Sequence, residues 1–272
     1  MALNLSTLTS SATSGDVLAE ALTTADFLEG VPVLRNLSRG SNKGGDAKQN
    51  VATNQPKALP LIDGDGYLYL SGVSGNYAST PDESALDITG DITFESDFIV
   101  SQFPVSSDKG LISKFNTGNS QRAFILQLKS SGHVQLVLSP NGSSSSGASS
   151  SVDFSSVLSA RTRASVKVTW RQSDGRTQYF IKQNGSWSQV GTDQTTSVSA
   201  IHNSTQQVEI GSHSGGALSV AADLGVFSTK IYGSINDTNK VLDVDFTATN
   251  VRHGDTKFKC ATGQVVTVNQ SG

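Results

Sequence analysis

Few residues of this sequence are placed to do chemistry. Glu95 and Asp97 stand two positions apart inside the run 92–100, so an extended backbone puts both carboxylates on one strand face. Retaining glycoside hydrolysis requires two carboxylates about 5 Å apart, one as nucleophile and one as proton donor. The other glutamates, Glu20, Glu29, Glu83 and Glu209, lie far from this pair along the chain, and a solvated strand face is the better reading of Glu95 and Asp97. The four histidines, His133, His202, His213 and His253, show none of the spacings of a zinc site. No Ser-His-Asp order stands out among so many serines. Asp63-Gly-Asp-Gly lacks the further acidic ligands of a calcium loop and reads as a turn. The residues therefore assign no catalytic group, no metal and no cofactor. Two aromatics are placed to stack on a sugar: Trp187, just beyond Asn184-Gly185, and Tyr179, just before it. The alternative is that Trp170 and Trp187 both sit in the core, since a buried indole removes so much apolar area from water.

Such groups need elements to hold them. Of 272 residues, 36% are hydrophobic and only 16% charged, the balance being Ser, Thr, Asn, Gln and 26 Gly. That composition suits many short strands joined by turns. A net charge of −3 gives no general pull toward nucleic acid or an anionic membrane, and no apolar run approaches the roughly 18 residues that cross a bilayer. Cys260 is the single cysteine, so no intramolecular disulfide forms within the chain. The opening residues Met1 to Ser6 lack the basic and apolar regions of a secretory signal. The expectation is folding in a reducing cytoplasm, with any later exit by a route other than a secretory signal, such as lysis.

Residues 1–57 read as an N-terminal segment distinct from residues 58–272. Between Thr13 and Gly30, Val17, Leu18, Ala21, Leu22, Ala25 and Leu28 recur at helical spacing. Thr13 followed by Asp16 resembles a capping box, and Gly30 with Pro32 gives the stop. A helix of this length is marginal alone in water, so its stripe must rest on the β domain or on another subunit. Arg35, Arg39, Lys43 and Lys48 follow among Ser, Gly, Asn and Gln. That stretch is either a solvated linker or an arm that becomes ordered on a partner. Val17, Leu18, Leu22, Leu28, Arg35 and Arg39 are the residues expected to dock.

From Leu59 onward the period changes to two. Ile92, Phe94, Phe98 and Val100 share a face, opposite Thr93, Glu95 and Asp97. The same alternation runs through Phe124-Leu126-Leu128, Val134-Leu136-Leu138, Val166-Val168-Trp170, Tyr179-Ile181, Val208-Ile210, Leu218-Val220 and Leu242-Val244-Phe246. Asp174-Gly175 and Asn184-Gly185 predict two successive hairpins, and the Ser-rich stretch from Asn141 to Ser151 reads as a loop. Ten or more half-apolar strands without intervening helices must pack as two antiparallel sheets face to face. The predicted fold is all-β, an antiparallel jelly-roll sandwich with a short N-terminal helix and an extended arm.

Several stretches resemble laminin-G/concanavalin A-like domains of phage structural proteins. They are Tyr67-Leu-Tyr-Leu-Ser-Gly-Val-Ser-Gly-Asn-Tyr-Ala-Ser-Thr-Pro-Asp, Ala85-Leu-Asp-Ile-Thr-Gly-Asp-Ile-Thr-Phe, Leu111-Ile-Ser-Lys-Phe, Gly185-Ser-Trp-Ser-Gln-Val-Gly, Glu209-Ile-Gly-Ser, Asp245-Phe-Thr and the tail from Ala261 to Gly272. Their order along the chain carries the resemblance more than any one of them does. It implies a head-decoration, tail or fibre protein of a virion, assembled in the host cytoplasm. Its partners would be capsid or tail subunits, further copies of itself (a trimer by analogy with other appendages) and host surface glycans. Glucanases of the related fold carry three acids as Glu-x-Asp-x-x-Glu. Here Val100 occupies the third place after Glu95 and Asp97, so a polysaccharide depolymerase is disfavoured and a non-enzymatic protein is expected.

Overall fold

Period-two alternation can bury one face of each strand only if two sheets meet, and in this protein they do. The computed structural model describes residues 61–62, 66–218, 221–248, 251–252 and 254–270. The N-terminal segment with Val17, Leu18, Leu22, Leu28, Arg35 and Arg39, the turn at Asp63, and His253 lie outside the described residues. Among the described residues seventeen strands follow in order. They are β1 (Leu61–Ile62), β2 (Leu68–Ser71), β3 (Tyr77–Thr80), β4 (Ile92–Val100), β5 (Lys109–Asn116), β6 (Gln121–Leu128), β7 (Val134–Leu138) and β8 (Ser146–Ser149), then β9 (Ala164–Arg171), β10 (Arg176–Gln183), β11 (Ser186–Gln189) and β12 (Gln194–Thr195), and last β13 (Val208–Ile210), β14 (Ala222–Tyr232), β15 (Lys240–Asp245), β16 (Lys257–Lys259) and β17 (Val265–Asn269).

The first sheet runs β1-β2-β14-β4-β9-β10-β11, with β12 beside β10 and β15 beside β14. The second runs β16-β17-β3-β13-β5-β6-β7-β8. All pairings are antiparallel. The fold is an antiparallel jelly-roll β-sandwich, as the alternation predicts. Phe94 of the first sheet meets Phe124 of the second with ring centroids 5.0 Å apart, and one core joins Leu68, Phe98, Val168, Trp170, Leu126, Leu136 and Ile210. Burying that apolar area drives folding.

Both predicted hairpins are present. β9 and β10 close over Asp174-Gly175, and β10 and β11 close over Asn184-Gly185. Asn184 and Gly185 both take positive φ, 51° and 83°, the mirror-image turn that matches strand twist. Two readings are corrected. Leu218 is not in a strand: it forms a lone bridge to His213 across a turn and is 44% exposed, because Ser214, Gly215 and Gly216 all adopt positive φ and reverse the chain there. The Ser-rich stretch is only partly loop. Asn141 Oδ1 accepts the N–H groups of Ser143 and Ser144, and the chain then re-enters the second sheet as β8.

Candidate functional site

The side of the first sheet turned away from the core gathers the chemistry-bearing residues. Cross-strand register sets Lys230 of β14 beside Glu95 of β4, and Glu95 beside Lys167 of β9. Phe180 of β10 stands beside Lys167, and Lys182 stands beside Trp187 of β11. Lys167 Nζ lies 5.4 Å from the Phe180 ring centre and 5.0 Å from that of Trp187, and Lys182 Nζ is 5.6 Å from Trp187. The loop after β14 folds back over this face: Ser234 O accepts the Thr93 hydroxyl at 2.7 Å, and Asp237 pairs with Lys167 at 3.0 Å.

Two interruptions in β14 shape the other end of the face. Against β2 the register shifts between Ala222 and Leu224, making Asp223 an extra residue with φ +54°. Against β4 it shifts between Val226 and Ser228, making Phe227 another. A bulge re-aims the side chain it carries. Phe227 turns outward, 5.3 Å from Tyr67, and the Arg163 guanidinium lies over its ring. Asp223 Oδ1 accepts the Tyr69 hydroxyl at 3.2 Å. Tyr67, Tyr69, Ile99, Ser101, Arg161 and Asp223 line a cleft of about 220 Å³ with Gly225 among its lining. A Cβ on Gly225 would come within 2.7 Å of Ile99 and 2.8 Å of Tyr67, so only glycine lets these two side chains close over the strand.

The electrostatics of the face separate its two acids. Asp97 accepts Arg163 Nε at 3.1 and 2.9 Å through its two oxygens, and one of them also accepts Arg163 Nη2. Glu95 Oε2 accepts the Tyr232 hydroxyl at 3.4 Å. Burial lifts the Glu95 carboxyl above its ordinary range, opposed by Lys230, Lys167 and Lys182 and reinforced by Asp237. Val100, in the third position, is buried facing the core, so β4 supplies no third acid to this face.

The two aromatics singled out in the sequence part company. Tyr179 is fully buried, on the same side of β10 as Ile181, with its hydroxyl bonded to Ala148 O across the sandwich. It cannot touch a sugar, and its assignment is corrected: β10 pairs with β9 so that Tyr179 lies beside inward-facing Val168. Trp187 is half-buried on the outer face, whereas Trp170 lies fully in the core with Nε1 donating to Thr196 Oγ1 at 2.9 Å. The histidines are dispersed: His133 Nδ1 lies 2.8 Å from Ser150 O, and the His213 ring meets Phe115 edge-on. Among the described residues no three His, Cys, Asp or Glu side chains group as metal ligands, and no helix is long and apolar enough to cross a membrane. Sequence reasoning missed Tyr67 and Tyr69 as site residues, although their alternation with Leu68 and Leu70 marks an outward aromatic pair. Asp223 and Phe227 gave no such signal.

No protein-family model matches this sequence, and no curated protein matches it. Solved structures are similar to it at low identity. One is described as the Ruminococcus gnavus IT-sialidase CBM40 bound to alpha2,3 sialyllactose, with 14% identity over 64% of this chain and 93% of that one, TM-score 0.46. Domains LG4-5 of the mouse laminin alpha1 chain are 13% identical over 73% of this chain, which spans about half of that one (49%), TM-score 0.44. A botulinum neurotoxin type G receptor binding domain is 12% identical over 56% of this chain and 36% of that one, TM-score 0.40.

Proposed function

We propose that this chain is a non-enzymatic recognition protein, a virion appendage whose sandwich holds a surface glycan against the outer face of its first sheet. One observation carries the glycan reading. Tyr67, Phe227, Phe180 and Trp187 stand on that face, interleaved with Lys, Arg, Asp and Gln side chains. Aromatic rings offer flat apolar surface to the faces of sugar rings, while the polar side chains between them bond hydroxyls. The non-enzymatic reading rests on the state of the two acids. Asp97 is held by Arg163 through both oxygens, which leaves Glu95 without a free carboxylate neighbour on its strand. The virion setting is supported by the ordered resemblance to phage laminin-G-like proteins. In this reading residues 1–57 dock on capsid or tail subunits through Val17, Leu18, Leu22, Leu28, Arg35 and Arg39, and the sandwich projects from a homo-oligomer.

The test is binding of the full chain and of Trp187→Ala to an array of bacterial surface polysaccharides, with the products of each incubation sized. Retention by wild type without shortening of the polymer, weakened roughly tenfold in the variant, is the expected result. That loss corresponds to about 1.4 kcal/mol. Shortening of the polymer sinks the non-enzymatic reading, and no retention on any polysaccharide sinks the glycan reading.

A further inference from the structure

We propose that the cleft bounded by Tyr67, Tyr69, Ile99, Arg161 and Asp223 is a subsite for a single neutral pyranose that presents adjacent hydroxyls. This rests on the glycan reading above and assigns it a place and a ligand class. At about 220 Å³ the cleft is smaller than the roughly 300–1,000 Å³ of pockets for drug-sized ligands, which leaves room for one sugar ring. Its walls are apolar where a ring face would lie: Tyr67 and Ile99 close against Gly225 and continue into the Tyr67–Phe227 pair. Its polar groups are of opposite charge. Asp223 Oδ1 already accepts Tyr69, and Asp223 Oδ2 has no hydrogen bond among the described residues, so it remains an acceptor for hydroxyls. The Arg161 guanidinium has neither hydrogen bond nor ion pair among the described residues. It is exposed beside the cleft, on a backbone fixed by its N–H bond to Val100 O at 2.7 Å. Charges of both signs flank the cleft, so a simple anion or cation gains from one group only while facing the other. A neutral ligand carrying both donors and acceptors satisfies each, with its hydroxyl hydrogens on Asp223 and its hydroxyl oxygens on the Arg161 fork.

The backbone supports a built site. Arg161 and Asp223 are both held at positive φ, 59° and 54°, a region that residues other than glycine seldom occupy. In Asp223 it is imposed by the bulge that displaces it from the ladder with β2.

The experiment follows the Tyr67 and Tyr69 ring signals by NMR as the full chain is titrated with methyl glycosides. The neutral probes are those of glucose, galactose and mannose, and methyl glucuronide is the anionic comparator. At least one neutral glycoside should shift both rings with a millimolar dissociation constant. Asp223→Asn, which keeps an acceptor for Tyr69 and tolerates positive φ, should weaken it at least fivefold. Val265→Ala, at an exposed position of β17 in the other sheet, should leave it unchanged. Shifts caused by the glucuronide alone, shifts indifferent to Asp223→Asn, or no shift with any neutral glycoside would each overturn the subsite. If polysaccharide retention still depends on Trp187 in those cases, the glycan reading survives its subsite. If glycosides bind the cleft while no polysaccharide is retained, the subsite stands and the wider reading falls.

Discussion

The Arg163 guanidinium lies 4.1 Å from the centre of the Phe227 ring while its nitrogens grip both oxygens of Asp97. The contact exists because the β14 bulge turns Phe227 outward beneath a residue just before β9. Cation–ring contacts at exposed sites contribute about 0.5–1 kcal/mol. A double-mutant cycle with Arg163→Met and Phe227→Leu should return a coupling energy in that range from denaturant midpoints. A coupling of zero would mean that the stacked geometry contributes no stability.

Lys114 is fully buried, yet it donates to Asp87 Oδ1 at 2.9 Å and Leu86 O at 3.1 Å and forms a further ion pair with Asp82 at 2.7 Å. It ties β5 to the short 3-10 turn Ser84–Leu86. Lys114→Met keeps the stem and removes the charge, leaving two carboxylates facing each other. Both carboxylates are partly exposed, so the loss belongs at the low end of the range for broken buried pairs, about 3 kcal/mol. Urea unfolding measures it, and a loss below about 1 kcal/mol would show that water replaces the lysine.

Glu95 supplies a pH dependence. Burial raises its carboxyl in the folded protein, against Lys230, Lys167 and Lys182 and with the help of Asp237. The protonated form is therefore favoured by folding. Its contribution is fully present below the ordinary carboxylate value and is lost as pH rises through the raised folded value. Glu95→Gln should melt higher than wild type at pH 7, and the difference should vanish in acid. Melting curves from pH 4 to 7 check this. A lower melting temperature for Glu95→Gln at pH 7 would show that the three lysines outweigh burial.

Ser96 and Thr229 are cross-strand neighbours on β4 and β14, buried at 1% and 0% exposure, and neither hydroxyl has a hydrogen-bond partner among the described residues. A buried polar group without a partner costs about 1–3 kcal/mol. Ser96→Ala and Thr229→Val should each raise stability by about 1 kcal/mol in chemical denaturation. Destabilisation by either would reveal a hydrogen bond at that hydroxyl.

Alternation alone determined which residues of β4, β6, β7, β9 and β15 face inward, because side chains on an extended backbone change sides at every residue. The Asp174-Gly175 and Asn184-Gly185 turns fixed both hairpins, while alternation without intervening helices fixed the two-sheet sandwich and held Tyr179 and Ile181 to one face. For β10 it left open which face was inside. The register of β10 against β9 decided that, placing Tyr179 beside Val168 in the core. Trp170 and Trp187 both lie on strands, but Trp170 sits on β9, paired on both edges and facing the second sheet. Trp187 sits on β11, at the end of the sheet order, and faces outward. Asp223 and Phe227 became part of the candidate site only through bulges in β14. A bulge depends on how two strands, more than 100 residues apart in the chain, settle their mutual register, and no local pattern of residues encodes it.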